Sequence, residues 1–260
     1  MASSRPVAQD GVHALVPRAA MTPAARRLRD TYAITPGAPF YHKTFGLWMC
    51  LDTWKTQGLP DTDLATLFRL DPPGNHSLGQ LGWCEAAFRP AFPQLTIADR
   101  GDTEVVQDTA GRQVLYFKGR RQGFMPEYVG HPVRDLKTWE EDVLWRLNPA
   151  SPERYADLEA RMAGARAAAA QGLMITQNLI GGYMYLRSLI GPEALLFAFY
   201  DMPDLIHACM RQWLALADAV IARHQQYVTL DELFLAEDIC YNVGPLISPD
   251  MMRAFLIPYY

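Results

Sequence analysis

The stretch Asp231–Pro249, DELFLAEDICYNVGPLISP, restricts the fold more than any other segment of the chain. Its apolar run Leu233–Ala236 is long enough for a buried strand and too short for a helix. Glu237 and Asp238 follow at once, which puts carboxylates at the strand's C-terminal end. A loop containing Gly244-Pro245 then leads to a helix start, with Ser248 as N-cap, Pro249 at the first helical position and Asp250 in the first turn. Strand, charged end, loop and helix make a β/α unit. In parallel α/β folds the carboxyl ends of the strands carry ligands and chemistry. Glu237 and Asp238 are therefore the candidate catalytic residues. Their alternative role is structural: capping a loop and pairing with a neighbouring helix.

The rest of the chain supplies further units. Residues 1–20 are rich in Ala, Ser, Pro and Arg, lack periodicity and read as a disordered leader, so that Met21 reads as the natural initiator. Thr22-Pro23 opens a helix over Ala24–Thr31. Ala38–Trp48 reads as a first strand, which places Trp48, Asp52 and Trp54 near a strand end, where an indole can stack on a flat ligand or simply pack in the core. Short helices follow at Cys50–Gln57, closed by Gly58, and at Leu64–Leu70. Leu95–Ile97, Glu104–Val106 and Val114–Phe117 alternate as strands around polar turns, a small antiparallel β meander inserted at about 94–118. Gly123–Pro126 leads to His131-Pro132-Val133, which reads as extended chain because Pro132 disfavours helix at His131.

Leu136–Leu147 predicts a helix, and Ser151-Pro152 starts another that runs to about Ala170. Leu173–Gln177 is a second buried strand, with Asn178 near its end and Gly181-Gly182-Tyr183 beyond. Helices follow at Tyr183–Leu189, at Glu193–Tyr200 and from Pro203 to about Tyr227. The last carries the apolar stripe Leu205, Cys209, Trp213, Leu216, Val220, Ile221.

Composition narrows the function. Of 260 residues 50% are hydrophobic, 20% are charged, and the net charge is −4. A chain with no basic field holds no nucleic acid, and the apolar runs are too short for a membrane partner. Cys50, Cys84, Cys209 and Cys240 are scattered without metal-finger spacing and read as thiols in a reducing cytoplasm. There is no phosphate loop, GxSxG or HExxH.

Four segments are familiar as a set: LDTWKTQGLP (Leu51–Pro60), MPEYVGHPVRDLKTWE (Met125–Glu140), GGYMYLRSLIGPEALLFAFYDMPDLIH (Gly181–His207) and DELFLAEDICYNVGPLISPDMMRAFLIPYY (Asp231–Tyr260). In pattern and order they resemble the uroporphyrinogen decarboxylase superfamily, from about Met21 onward, and most closely its branch of corrinoid-dependent methyltransferase-like proteins. The resemblance implies a (β/α)8 TIM barrel of the uroporphyrinogen decarboxylase type with a cleft at the carboxyl end of its strands. It implies Asn178, Tyr183 and Tyr241 as cleft-lining, substrate-binding residues, with Trp48 and His42 aligned more weakly. A barrel needs eight strand–helix units and only about half can be placed. The expected fold is thus a barrel incomplete at the C-terminus, spanning 21–260.

The resemblance also separates two chemistries. The true decarboxylases need no cofactor, hold a carboxylated tetrapyrrole with N-terminal Arg residues and use an Asp. The matching region FYHKTFGLWMCLDTW (Phe40–Trp54) has no Arg, and Asp52 does not sit in the family's setting. Buried substrate carboxylates without partners are costly. The methyltransferase branch uses zinc to make a thiolate and takes its methyl group from a corrinoid protein. Its His-x-Cys and later Cys ligands match no segment of this chain. The expectation is a cytoplasmic methyltransferase-like protein acting on a small molecule with a corrinoid protein as partner. The chain alone binds no cofactor or metal, the full-length protein takes zinc, and a homodimer is open. The alternatives are a cofactor-independent carboxy-lyase of tetrapyrrole metabolism and an inactive fragment or binding module.

Overall fold

The structure, a computed structural model, describes residues 21–40, 50–72, 74–121 and 126–260. The leader 1–20 and most of the strand expected at Ala38–Trp48 lie outside the described residues. Helix α1 (Pro23–Tyr32) starts where the sequence places it: the Thr22 hydroxyl accepts the Ala25 N–H at 3.2 Å, and Pro23 takes a position that needs no donor. Two short helices follow, α2 (Cys50–Thr56) and α3 (Leu64–Leu67), the second capped by the Asp63 carboxylate. Strand β1 (Asn75–Leu78) then arises in a stretch with no strand signature.

The expected meander is present as β2 (Leu95–Arg100), β3 (Thr103–Gln107) and β4 (Gln113–Phe117), paired antiparallel in sequence order. It gains a fourth strand, β5 (Glu127–Gly130), from the extended chain before His131. The helix expected at Leu136–Leu147 is wound in three ways: α4 (Leu136–Thr138), a π turn at Trp139–Val143 and a 3-10 turn at Leu144–Leu147. Trp139, Val143 and Leu147 are buried, while Leu136 points to solvent. A 3-10 turn at Pro152–Arg154 precedes α5 (Leu158–Ala170).

Strand β6 (Met174–Ile180) is followed by three helices in succession, α6 (Gly182–Ile190), α7 (Pro192–Asp201) and α8 (Pro203–Gln225). Then come β7 (Glu232–Ala236), the small hairpin β8 (Cys240–Tyr241) with β9 (Gly244–Pro245), and α9 (Pro249–Met251), which Ser248 caps and which runs into a π turn at Met252–Leu256.

β1, β6 and β7 form a three-stranded sheet in that order. Its bonds join early residues to early and late to late, as parallel strands require: Met174 N–H to the Gly74 carbonyl, Ile180 N–H to Leu81, Asp231 N–H to Ile175 and Gly181 N–H to Ala236. The expected barrel is therefore corrected. The parallel sheet has three strands, the other strands pair in separate antiparallel sheets, and no eight-fold β/α barrel is present among the described residues. The physical reason lies in two segments. The β-formers of Leu95–Phe117 satisfy one another as neighbours, and Gly182–Gln225 returns no strand between its helices. The buried strand expected at Leu233–Ala236 is likewise a strand but an edge one, so Leu233 and Phe234 remain 49% and 38% exposed.

The chain divides into two compact units. One comprises Met1–Ser77, Ala163–Thr176 and Thr229–Glu232. Polar side chains tie its strand segments together: Asp231 Oδ2 accepts the Ile175 N–H at 2.9 Å, and the Thr176 hydroxyl donates to Glu232 at 2.8 Å while accepting from Asn75 at 3.2 Å. The other comprises Leu78–Met162, Gln177–Val228 and Leu233–Tyr260 and holds the main hydrophobic core, built from α6, α7, α8 and the Trp139–Leu147 segment. Each fully buried Leu, Ile or Val there contributes about 1.5–3 kcal/mol.

α8 has the length and mean hydropathy of a membrane span, but Asp204, Arg211, Asp218 and Arg223 interrupt it. Its apolar stripe Leu205, Cys209, Trp213, Leu216 and Val220 is buried in the core, and the Trp213 indole N–H donates to the Ile180 carbonyl at 2.8 Å. α8 therefore packs as a core helix of its unit.

Candidate functional site

At the carboxyl end of β7 the chain places Glu237 against the start of α6. A helix N-terminus carries unpaired N–H groups and a partial positive charge. The Glu237 carboxylate meets both needs: Oε1 accepts the Tyr183 N–H and Oε2 the Met184 N–H, each at 3.0 Å. The Tyr260 hydroxyl donates to the same carboxylate and accepts the Gly182 N–H at 2.8 Å. Burial, then this hydrogen bond to Glu237, raises the phenol's pKa, so it stays a donor at neutral pH. The Gly181-Gly182 pair makes the approach physically available. A Cβ at Gly181 would stand 2.5 Å from Glu237 Oε2 and 2.9 Å from the Ala236 carbonyl, and one at Gly182 would stand 2.8 Å from Met210 Cε. Asp238, next along the chain, is exposed and pairs with Arg187 of α6 at 3.1 Å. Both Glu237 oxygens are thus engaged by the protein, while the exposed Asp238 gives one oxygen to Arg187.

The open space lies at the carboxyl end of β1 and β6. A cleft of about 450 Å³ is lined by the loop after β1, from Gly79 to Ala91, together with Thr109 and Asn178. Glu85 and Arg89 are its charged residues, Gln80 and Asn178 its amide residues, and Trp83 forms part of its wall. The Trp83 indole stacks on Phe234 at 5.6 Å between ring centroids and 9° between planes. Arg89 donates one guanidinium nitrogen to the Phe88 carbonyl at 2.8 Å. Cys84 sits beside the cleft with its thiol pKa raised by burial and then by the Glu85 charge, so it is no thiolate at neutral pH.

The loop is held at both ends. Before it, the Gln177 amide donates to the carbonyls of Leu78 at 3.1 Å, Gly79 at 2.9 Å and Asn178 at 2.8 Å. Gln177 Oε1 accepts from His224 Nδ1 at 2.7 Å, and His224 Nε2 lies 3.4 Å from Arg161 Nη1. Burial, then the Arg161 charge, lowers the His224 pKa to about 4, so the ring is neutral and serves as donor on one side and acceptor on the other. Beyond the loop, Arg154 is fully buried and donates to the carbonyls of Ala87 at 2.6 Å, Arg146 at 2.7 Å and Asn148 at 2.9 Å. Burial lowers its pKa to about 10, which leaves it charged at neutral pH. Gly82, at φ +77°, turns the loop where a Cβ would overlap the Glu85 carbonyl.

Of the residues singled out from sequence, Asn178 lines the cleft, within β6 rather than past its end. Tyr183 is buried in the core, and its backbone rather than its ring meets Glu237. Tyr241 is exposed on the β8 hairpin. His42 and Trp48 lie outside the described residues. Gln80, Glu85 and Arg89 were not anticipated. Their signal was weak: Gly79 and Gly82 bracketing a short loop after a four-residue strand. Among the described residues no three His, Cys, Asp or Glu side chains converge as metal ligands must. Compared with protein-family models, curated proteins and solved structures, the chain matches none.

Proposed function

We propose that this chain holds a small polar molecule in the cleft at the carboxyl end of β1 and β6, and that it serves methyl transfer between that molecule and a corrinoid protein. The sequence resemblance to the methyltransferase-like branch of the uroporphyrinogen decarboxylase superfamily supports the chemistry. The observation that carries the site is the cleft itself, with Glu85, Arg89 and Asn178 at the end of parallel strands where α/β sheets bind ligands. The corrinoid partner would present the methyl group. This chain's residues would bind and orient the small molecule, Arg89 by charge and Glu85 as a proton acceptor. None of the four cysteines is in a disulfide, which supports a cytoplasmic setting.

Absorbance of methylcobalamin tests this reading. With the protein and its small-molecule partner present, the methylcobalamin spectrum is expected to change with time; an unchanged spectrum, with or without a corrinoid protein, contradicts methyl transfer. One observation favours a second reading. Arg89 gives the cleft a cation that can hold a carboxylate, as cofactor-free decarboxylation requires. That reading predicts carbon dioxide release without corrinoid.

A further inference from the structure

We infer that Gln80 reads the ligand in this cleft, and that the ligand is a small carboxylate with an O–H or N–H donor beside its carboxyl group, a hydroxy acid or an amino acid. The inference rests on the reading of the cleft as a ligand site. It starts from the backbone. Gln80 sits at φ +80°, a region that side chains with a Cβ avoid. Two other described residues with side chains share that region, Ile34 and Arg69. Each lies just past the C-cap of a helix, where a left-handed residue closes the last turn. Gln80 closes no helix.

Its conformation is imposed from both sides. Gln177 grips the carbonyls of Leu78 and Gly79 immediately before it, and the Ile180 N–H grips the Leu81 carbonyl immediately after it at 3.2 Å. Gln177 is in turn oriented by His224. Strain that persists because its surroundings over-determine it is found at ligand sites.

The side chain gives the second observation. The Gln80 amide oxygen is buried and has no hydrogen-bond partner among the described residues, and Gln80 lines the cleft. Buried acceptors are almost always satisfied. A carbonyl oxygen can only accept, so its natural partner is an O–H or N–H of a ligand. Arg89, in the same lining, has guanidinium N–H groups beyond the one given to Phe88 and matches a carboxylate. Glu85 adds a negative charge that suits a donor or an ammonium and disfavours a second carboxylate.

Three acids of the same carbon count separate these features: L-lactate carries a donor, pyruvate an acceptor and propionate neither. Titration of the isotope-labelled full chain, followed by the backbone amides of Gly79, Gln80, Glu85–Arg89, Thr109 and Asn178, gives their relative affinities. L-Lactate is expected to bind about tenfold more tightly than the other two, the effect of one satisfied buried acceptor. Gln80→Leu should bring lactate down to the level of propionate, and Arg89→Leu should weaken all three. Gln80→Gly should melt at or above the wild-type temperature while losing the preference, which a residue present only for the fold would not do. Equal binding of the three acids at the cleft overturns the inference and leaves the cleft reading standing. If no acid moves the cleft amides, the cleft reading falls with it.

Discussion

Glu237 accepts the backbone N–H of Tyr183 at 3.0 Å, a contact made across 54 residues of chain. With the Met184 N–H on its other oxygen, the carboxylate becomes the cap of α6, whose own N-cap residue, Gly181, has no side chain to offer. The acid at a strand end is therefore what lets the helix after a different strand begin.

Removing that cap has a defined cost. Glu237→Ala is expected to destabilise the fold by about 1–2 kcal/mol, the range for lost N-caps with a helix-dipole contribution. Glu237→Gln, which keeps one acceptor, should lose less, and Tyr260→Phe about 1 kcal/mol. Urea denaturation followed by circular dichroism measures all three; a wild-type midpoint for Glu237→Ala would contradict the capping role.

The glycine pair should respond unequally. At Gly181 a Cβ meets a carboxylate and a backbone carbonyl, whereas at Gly182 its nearest neighbour is the flexible end of Met210. Gly181→Ala is therefore expected to cost about 1–3 kcal/mol and Gly182→Ala less. The same denaturation measurement ranks them, and the reverse order would contradict the close approach of Glu237.

Arg154 gives a sharper case. Its buried guanidinium donates to three backbone carbonyls, and of these the Arg146 carbonyl also accepts the Arg89 N–H at 2.7 Å. Arg154→Met should destabilise by roughly 3 kcal/mol or more, and Arg154→Lys should not restore the loss, because an ammonium cannot reproduce the planar fork. Thermal melting of the two variants checks this, and full rescue by Lys would contradict it.

What was legible in the sequence follows the range of the forces involved. The helix starts at Thr22-Pro23 and Ser248-Pro249, the meander at Leu95–Phe117 and the stripe of α8 depend on near neighbours, and all are present. The barrel expectation failed because strand order is set by distant pairings, which near neighbours do not reveal. Leu233–Ala236 reads as buried on its apolar content, yet its position in the sheet leaves one edge without a neighbouring strand among the described residues. Glu237 and Asp238 were legible as a pair at a strand end but not in their work, which depends on Tyr183, Arg187 and Tyr260 far away in the chain. β1 and the cleft loop escaped notice because NHSL has neither alternation nor β-branched residues.

His224 makes stability depend on pH. Its folded pKa, about 4, lies below the 6.5 of an unperturbed His. Between these values the unfolded chain binds a proton that the folded protein does not, so stability is complete above about pH 6.5 and falls toward pH 4. The loss is on the order of 3 kcal/mol. His131, half-buried with its pKa also lowered by burial, adds in the same direction. His224→Asn retains a donor toward Gln177 and should flatten much of the dependence in denaturation midpoints taken from pH 7 to 4. An unchanged profile would place the His224 proton elsewhere.

The central claim is that the ligand sits at the carboxyl end of β1 and β6 and not on the acids after β7. A crystal structure of the full chain grown with L-lactate tests it most directly. The account predicts the lactate carboxylate within hydrogen-bond distance of Arg89 and its hydroxyl on Gln80 Oε1. Lactate bound at Glu237 or Asp238, with the cleft empty, would contradict it.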